Sequence, residues 1–449
     1  MSVCLALCVL CVRAAPARAD GLMDAWASWA LAPKVWKGQV VPEPDPTPRP
    51  AGPEWRLDSW RLPLHVHAPA DLPQANVVAA LAALEDAYEA LAEHGWPLPH
   101  ADGGYGGTTG FDLYLQRDAR DAALAEIDAP RPISDFDAAQ SYAVVDASVA
   151  VADLEACVQS ALTQAALRGQ DPAEAGSWLR ATGDFTAWLW DGEPGCQQSM
   201  VQAQRSPELG LLGHDPRSAG SGALALTLLS ERHDGGNGRF VQALWELTRQ
   251  RSRGLVDPGL LRSSPDLWEV LAQVLKATGH EAWQDAIEEL AVARFFSGTS
   301  SRRHVAAYRT LSALPPDAQV PLLADLEWTQ LPAHVHSDTT ELHELGSAYV
   351  RLHIPTEAAA IGVRVWLRGE LGPRWSVVAM RLDAQGHELG RVMAAERRLP
   401  QSYVPVALTQ DTAQLVFVVT YLSEKTPDAD RLELPAHGFE LIVDRSSEP

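Results

Sequence analysis

The sequence predicts an α+β protein that ends in an antiparallel β-sandwich, and three patterns support this prediction. A strongly amphipathic helix lies between short alternating strands in the first part of the chain. A long stretch, residues 153–296, then has mainly helical periodicity, interrupted by turn signals such as HDGGNG at 233–238. After residue 361 the hydrophobic period changes to two, which is typical of strands that are buried on one face.

Composition limits the kind of partner that the chain can have. The 449 residues are enough for two or three domains with hydrophobic cores, and the formal net charge is −22. This acidic balance argues against a nucleic acid or an anionic membrane surface as the main partner. No uncharged apolar run reaches the roughly 18 residues that a transmembrane helix needs, so we predict no transmembrane segment.

The N-terminus resembles an export signal. An apolar run of ten residues, Val3 to Val12, is followed by Ala17-Arg18-Ala19, which has the small-x-small pattern of a signal-peptidase site. We therefore predict a signal peptide over 1–19 and an exported protein that is periplasmic, secreted or on the outer surface. No Lys or Arg precedes the run, and a buried N-terminal strand is the alternative interpretation. The proline repeat VPEPDPTPRPAGP then predicts an extended spacer over 20–59.

Two cysteines remain after cleavage of that peptide. Cys157 and Cys196 are an even pair in an exported chain, which predicts one disulfide. Two unrelated buried thiols are the alternative.

The rest of the chain divides into two predicted domains. We assign an α+β domain to 60–300, a connector with two prolines to 301–325, and a β-sandwich to 326–449. The N-terminal domain contains the amphipathic helix, in which one face carries apolar residues at 4-3-4-3 spacing. These residues are Val77, Leu81, Leu84, Tyr88 and Leu91.

A search for catalytic motifs gives mostly negative results. The chain has 14 His but no H-E-x-x-H motif, and no His lies between positions 101 and 213. Neither a G-x-S-x-G elbow nor an S-x-x-K motif is present. Two H-x-H pairs, His65/His67 and His334/His336, could each direct two metal ligands to one side of a strand. No third ligand is identifiable for either pair, and a polar edge strand gives the same pattern, so we predict no metal and no other cofactor.

A family resemblance does emerge from the order of elements. A strand with HVH, a long helix, a glycine-rich loop into FDLYL, and two helices with the segment WLRATGDFTAW follow one another over roughly 60–300. This arrangement resembles a group of predicted secreted metallopeptidases of myxobacteria, which are similar to the gluzincin zinc peptidases (peptidase MA type). The resemblance implies a gluzincin-like domain. Its first helix would carry H-E-x-x-H, and its second helix would supply a glutamate as the third zinc ligand.

This sequence departs from the family at every zinc-binding position. The resemblance places Cys157 at the first His, Val158 at the general-base Glu and Ala161 at the second His, and it places Ala181 at the third ligand. The register is uncertain by a few residues, but no register supplies a His. Val158 cannot activate water and Ala161 cannot bind a metal.

These considerations predict an exported, metallopeptidase-like protein without zinc catalysis. Its partner would be a protein, a peptide or a component of the cell envelope. Two alternatives stay open: a hydrolase with an unrecognised site, such as His65 and His67 with distant carboxylates, and a structural surface protein whose sandwich mediates assembly. Three convergent donor side chains around an open coordination position, anywhere in the fold, would overturn the prediction of an inert, non-catalytic scaffold.

Overall fold

The structure, a computed structural model, describes most of the chain after residue 39. The described residues are 40–42, 45–51, 54–107, 109–130, 136–211, 213, 216–249, 260–278, 282–298, 311–337, 340–358, 362–394, 398–423 and 435–446. The predicted signal peptide lies outside them, as does the first half of the predicted spacer. Within these ranges, no helix combines the length and the apolar character that crossing a membrane requires.

The first domain is built on a mixed five-stranded sheet with the order β2-β3-β4-β6-β5. Its central strands β3, β4 and β6 are parallel, and the two outer strands are antiparallel to their neighbours. The central strands are almost continuously buried, as expected for parallel strands covered on both faces. The strands are β2 Glu54–Asp58, β3 Leu64–Pro69, β4 Phe111–Gln116, β5 Ala123–Pro130 and β6 Ala139–Asp146.

Helices form the second half of this domain, as the periodicity predicts. The predicted amphipathic helix is α1, and it buries Val77, Leu84 and Leu91. The pair α2 and α3 packs closely together and is buried over most of its length. The helices are α1 Gln74–Glu93, α2 Val151–Arg168, α3 Gly176–Asp191, α4 Ser199–Arg205, α5 Pro216–Asp234, α6 Arg239–Thr248, α7 Leu267–Thr278 and α8 Trp283–Phe295.

The segment assigned to the Pro-rich spacer is part of this domain from residue 40 onward. Strand β1, Val40–Pro42, pairs antiparallel with β7, Leu260–Arg262, and β2 forms an edge of the main sheet. Between them the Tyr142 hydroxyl donates to the carbonyl oxygen of Pro48 at 3.1 Å. Proline removes backbone donors but leaves carbonyl acceptors, so a proline-rich chain can still be held by side-chain donors of the sheet.

The C-terminal domain is a two-sheet sandwich. One sheet has the order β14-β13-β16-β11-β8, and the other has the order β15-β12-β18-β9. All neighbours in these two sheets are antiparallel except β8 and β11, which are parallel. The strands are β8 Ala324–Glu327, β9 Ala333–His336, β10 Leu342–His343, β11 Ser347–His353, β12 Gly362–Gly369, β13 Arg374–Leu382, β14 Glu388–Met393, β15 Gln401–Val406, β16 Gln414–Leu422, β17 Ala436–His437 and β18 Phe439–Ser446. The α+β class with an antiparallel-rich C-terminal part is thus confirmed.

The two domains share one hydrophobic cluster. Strand β16 is buried on both faces, because one face meets the other sheet and the opposite face meets α8. The Tyr349 hydroxyl donates to the carbonyl oxygen of Ala291 in α8 at 2.7 Å, and Arg391 pairs with Glu289 at 2.6 Å beside it. The sandwich is therefore packed against the helical domain.

Candidate functional site

The positions that the resemblance assigns to zinc binding have no ligand atoms available. Cys157 is bonded to Cys196 with an S–S distance of 2.01 Å, which confirms the predicted disulfide. Val158 and Ala161 are fully buried in the core, and Ala181 faces Gly222 of α5. These four positions contribute packing and a covalent cross-link.

A cleft lies beside this disulfide, and we call it the helix cleft. Its volume is about 220 Å³, and it lies between the end of β6, the loop before β5 and helices α2 to α4. Cys196 forms part of its wall. The polar residues that line it are Arg120, Asp121, Asp146, Ser160, Arg180, Asp184, Gln197, Ser199 and Gln202.

Asp184 is the best-supported side chain in the helix cleft. Its carboxylate accepts hydrogen bonds from the Ser199 hydroxyl at 2.6 Å and from the backbone N–H of Cys196 at 3.1 Å. The nearby Ser160 hydroxyl also favours its ionised form. Burial raises the pKa of Asp184 above its ordinary value, although these hydrogen bonds oppose the shift. The chain therefore keeps a carboxyl group in a desolvated position that faces a cleft.

Ser160 links the two helices that form the cleft floor. Gln164 donates from Nε2 to the Ser160 hydroxyl oxygen at 3.3 Å, one turn along α2. Gly183 of α3 allows this close crossing, since a Cβ at that position would lie 2.5 Å from the Ser160 hydroxyl oxygen. Ser160, Gln164 and Asp184 thus form one buried polar group across α2 and α3.

Two arginine side chains, Arg120 and Arg180, line the helix cleft beside three aspartates. Arg180 is mostly buried, and its Nη1 lies 3.7 Å from the carboxylate of Asp121. Among the described residues, no hydrogen-bond acceptor lies within reach of its Nε atom. Arg120 lies at the rim and is largely exposed. A ligand with a carboxylate or carbonyl oxygen would find donors here.

A second polar group, the Arg49 cluster, lies at the other side of the sheet. Arg49 donates two hydrogen bonds to Asp128, at 2.8 and 2.6 Å, and one to Asp112 at 2.5 Å. It also lies 3.0 Å from Asp102. His67 Nε2 is 2.7 Å from the other oxygen of Asp112. Burial raises the pKa of Asp112, but the hydrogen bonds from His67 and Arg49 outweigh burial and hold this pKa at about 2.

The structure does not bring the first H-x-H pair to one metal position. His65 Nδ1 bonds Asp58 at 2.7 Å, whereas His67 bonds Asp112 and stacks on Tyr114 with ring centroids 4.5 Å apart. His67 does line a cavity of about 570 Å³ at the carboxyl ends of β3 and β4, which is where open α/β sheets commonly bind ligands.

The second H-x-H pair has the third donor that the sequence did not reveal. His334 and His336 on β9 converge with Glu440 on the neighbouring strand β18. We call these residues the His-His-Glu cluster. In the part of the chain that the structure describes, no other group of three His, Cys, Asp or Glu side chains has its ligand atoms this close together. The H-x-H spacing is the one signal of this cluster in the sequence, and nothing in the sequence points to Glu440.

Comparison with known proteins adds little to this picture. No protein family and no curated protein matches the sequence. Among solved structures, the chain is similar to the pre-peptidase C-terminal domain of collagenase from Bacillus anthracis, with 12% identity and a TM-score of 0.17. That match covers 28% of this chain and 97% of the collagenase domain. A TM-score this low carries no conclusion about fold or activity.

Proposed function

We propose that the chain is an exported, metallopeptidase-like protein that has lost zinc catalysis in its first domain and binds a polypeptide partner through the helix cleft. One observation carries the proposal: the buried group formed by Ser160, Gln164 and Asp184 across α2 and α3. The disulfide favours an oxidising compartment, because such bonds are rare in reducing ones.

The same group supports a corrected register for the peptidase resemblance. If the resemblance is moved three residues along both helices, the two His positions fall on Ser160 and Gln164, and the third-ligand position falls on Asp184. The general-base position falls on Ala161. These three ligand positions lie close together across α2 and α3, as the ligands of a zinc site would, but a hydroxyl and a primary amide do not replace two imidazoles. A methyl group cannot activate water.

The size and charge of the cleft indicate what it would bind. A volume of about 220 Å³ is below the roughly 300 to 1,000 Å³ of pockets that enclose a small-molecule ligand. A single side chain or one terminus of a polypeptide fits a cleft of this volume better. Arg180 and Asp184 would then bind its polar groups, since charged donors and acceptors give the strongest hydrogen bonds.

A polypeptide probe tests this proposal directly. Fluorescein-labelled casein, titrated with the mature protein, should show increased anisotropy without release of small fragments. Arg180→Ala should weaken that binding about tenfold or more, because one charge-assisted hydrogen bond is lost. Arg351→Ala is the matched control, since Arg351 pairs with a single carboxylate, Asp325, on the sandwich. Absence of binding, or casein cleavage that increases with added Zn²⁺, would contradict the proposal.

The peptidase-like architecture has its own test. Ser160→His, Ala161→Glu and Gln164→His together would restore the family pattern beside Asp184. The substitutions are made in a His334→Ala/His336→Ala background, so that any metal bound reports on the cleft. We expect the restored variant to bind one Co²⁺, with visible absorption bands, and the control Ser160→Ala/Gln164→Ala to bind none. A folded restored variant that binds no Co²⁺ would mean that this cleft is not built like a zinc-peptidase site.

A hydrolase that uses His67 is the second candidate. A buried imidazole 2.7 Å from a carboxylate can serve as a general base, and His67 lines the cavity of about 570 Å³. If this candidate is correct, His65→Ala/His67→Ala should abolish any hydrolytic activity found in the mature protein, and Arg180→Ala should leave that activity unchanged. Hydrolytic activity that remains in His65→Ala/His67→Ala would exclude a hydrolase that uses His67.

A further inference from the structure

We propose that the His-His-Glu cluster is a binding site for a divalent transition metal such as Zn²⁺, on the outward face of the C-terminal sandwich. This site belongs to a different domain from the helix cleft and goes beyond the function proposed above. Its three converging donors also meet the condition that would overturn the prediction of an inert, non-catalytic scaffold. For this reason the proposed loss of zinc catalysis is restricted to the first domain.

Strand alternation and register bring the three donors together. His334 and His336 are two residues apart on β9, so both side chains leave the same face, and Val335 between them is buried. Strand β18 lies antiparallel to β9, with Glu440 directly opposite His336. Directly opposed residues have Cβ atoms about 5 Å apart, which is close enough for an imidazole and a carboxylate to share one ion.

The distances within the cluster suit a small divalent cation. Glu440 Oε1 lies 2.7 Å from His334 Nδ1 and 3.8 Å from His336 Nε2. Tetrahedral Zn²⁺ with ligands at about 2.0 Å separates its donor atoms by about 3.3 Å. The observed separations lie on either side of that value, so modest rotations of exposed side chains would bring the donors into position.

The other oxygen of Glu440 already has a partner. Arg368 on β12 lies opposite Glu440 in the sheet, and its Nη1 is 3.4 Å from Oε2. Arg368 therefore orients the carboxylate and leaves Oε1 toward the two imidazoles, as outer-shell partners do in many metal sites. His334 and His336 are about half exposed, so water can fill the remaining coordination positions.

The donor set indicates which metals the site would select. Two imidazoles and one carboxylate favour Zn²⁺, Co²⁺, Ni²⁺ or Cu²⁺ over Mg²⁺ and Ca²⁺, which prefer oxygen ligands. The chain also contains a natural control, because His387 is about half exposed and bonds a single carboxylate, Asp383, at 2.9 Å. His387 reproduces one imidazole–carboxylate pair without the second imidazole.

Titration of the metal-free mature protein tests the site. After EDTA treatment, Zn²⁺ is titrated by calorimetry and Co²⁺ by visible absorption, into wild type, His334→Ala, His336→Ala, Glu440→Gln and His387→Ala. We expect wild type and His387→Ala to bind one Zn²⁺ with equal affinity. Each of the other three variants should bind at least about tenfold more weakly, since even outer-shell changes cost that much.

Three results would overturn the inference. They are wild-type protein that binds no Zn²⁺, a His334→Ala/His336→Ala variant that binds Zn²⁺ as tightly as wild type, and an equal loss of affinity in His387→Ala. Competition by millimolar Ca²⁺ or Mg²⁺ would also contradict the assigned class of metal. Circular dichroism of each variant shows whether it remains folded, and the exposure of both imidazoles indicates that it should.

Discussion

Removal of the Arg49 side chain should destabilise the protein far more than its place in a proline-rich segment suggests. Arg49 is about 12% exposed, and the three carboxylates around it are 0 to 4% exposed. Arg49→Ala would leave Asp102, Asp112 and Asp128 close together without their shared cation. Removal of one partner from a buried ion pair costs about 3 to 5 kcal/mol, and we expect a loss in the free energy of unfolding within that range.

Two further substitutions separate charge from geometry. Arg49→Lys keeps the positive charge but cannot reproduce the paired hydrogen bonds to Asp128. Its free energy of unfolding should therefore lie between those of wild type and Arg49→Ala. Arg56→Ala removes a neighbouring arginine whose ion pair with Asp58 is 42 to 45% exposed. Arg56→Ala should lower the free energy of unfolding by less than about 1 kcal/mol.

The assay is equilibrium unfolding in urea, followed by tryptophan fluorescence and far-ultraviolet circular dichroism. The pH dependence has a defined sign. The pKa of Asp112 is lowered to about 2 in the folded protein, so the stability that this carboxylate provides is fully present above about pH 4 and is lost as the pH falls toward 2. The difference in free energy of unfolding between wild type and Arg49→Ala should therefore be largest near neutral pH and become smaller in acid. Equal losses for Arg49→Ala and Arg56→Ala at pH 7 would refute this reasoning.

Three other predictions address the disulfide, a buried acid and the metal cluster. Replacing Cys157 and Cys196 by Ser should lower the free energy of unfolding by up to about 4 kcal/mol, the chain-entropy estimate for a sequence separation of 39 residues, in a denaturation series under non-reducing conditions. Burial raises the pKa of Asp171 to about 7, so wild type should lose stability as the pH rises from about 4 to about 7, and Asp171→Asn should lose less over that interval. Zn²⁺ at one hundred times its dissociation constant should stabilise wild type by about 2.7 kcal/mol in thermal unfolding, and it should not stabilise His334→Ala/His336→Ala.

Local patterns predicted much of the fold. The 4-3-4-3 spacing predicted α1, which buries one apolar face. The helical periodicity after residue 153 predicted α2, α3 and α5 to α8, whose apolar residues are buried against neighbouring elements. The short helix α4 was missed, since seven residues carry too little periodicity. Strand β2 lies just before residue 60, the predicted start of the first domain, and pairs with β3 of the main sheet. A lone arginine among prolines has no local sign that its carboxylate partners lie 53 to 79 residues away.

The same limit applies to the candidate sites. The H-x-H spacing marked His334 and His336, but Glu440 is 104 residues beyond His336 and is brought there only by the pairing of β9 with β18. Strand register in a sandwich depends on contacts between sheets that a single sequence does not display. Asp184 has no local signal of its own in the segment WLRATGDFTAW, because its role depends on Ser160 and Ser199 from two other helices.

Asp184 also permits a test in which stability and binding should change in opposite directions. An ionised carboxylate whose pKa is raised by burial costs stability at every pH above its ordinary range. Asp184→Asn keeps the shape and can still accept the Cys196 N–H, so we expect it to stabilise the protein at pH 7 and to have no such effect below about pH 4. If the carboxylate is retained for binding at the helix cleft, the same change should weaken binding of labelled casein. A gain in stability with unchanged casein binding would show that the carboxylate is not part of the binding site. A loss of stability at pH 7 would show that its hydrogen bonds outweigh the cost of burial.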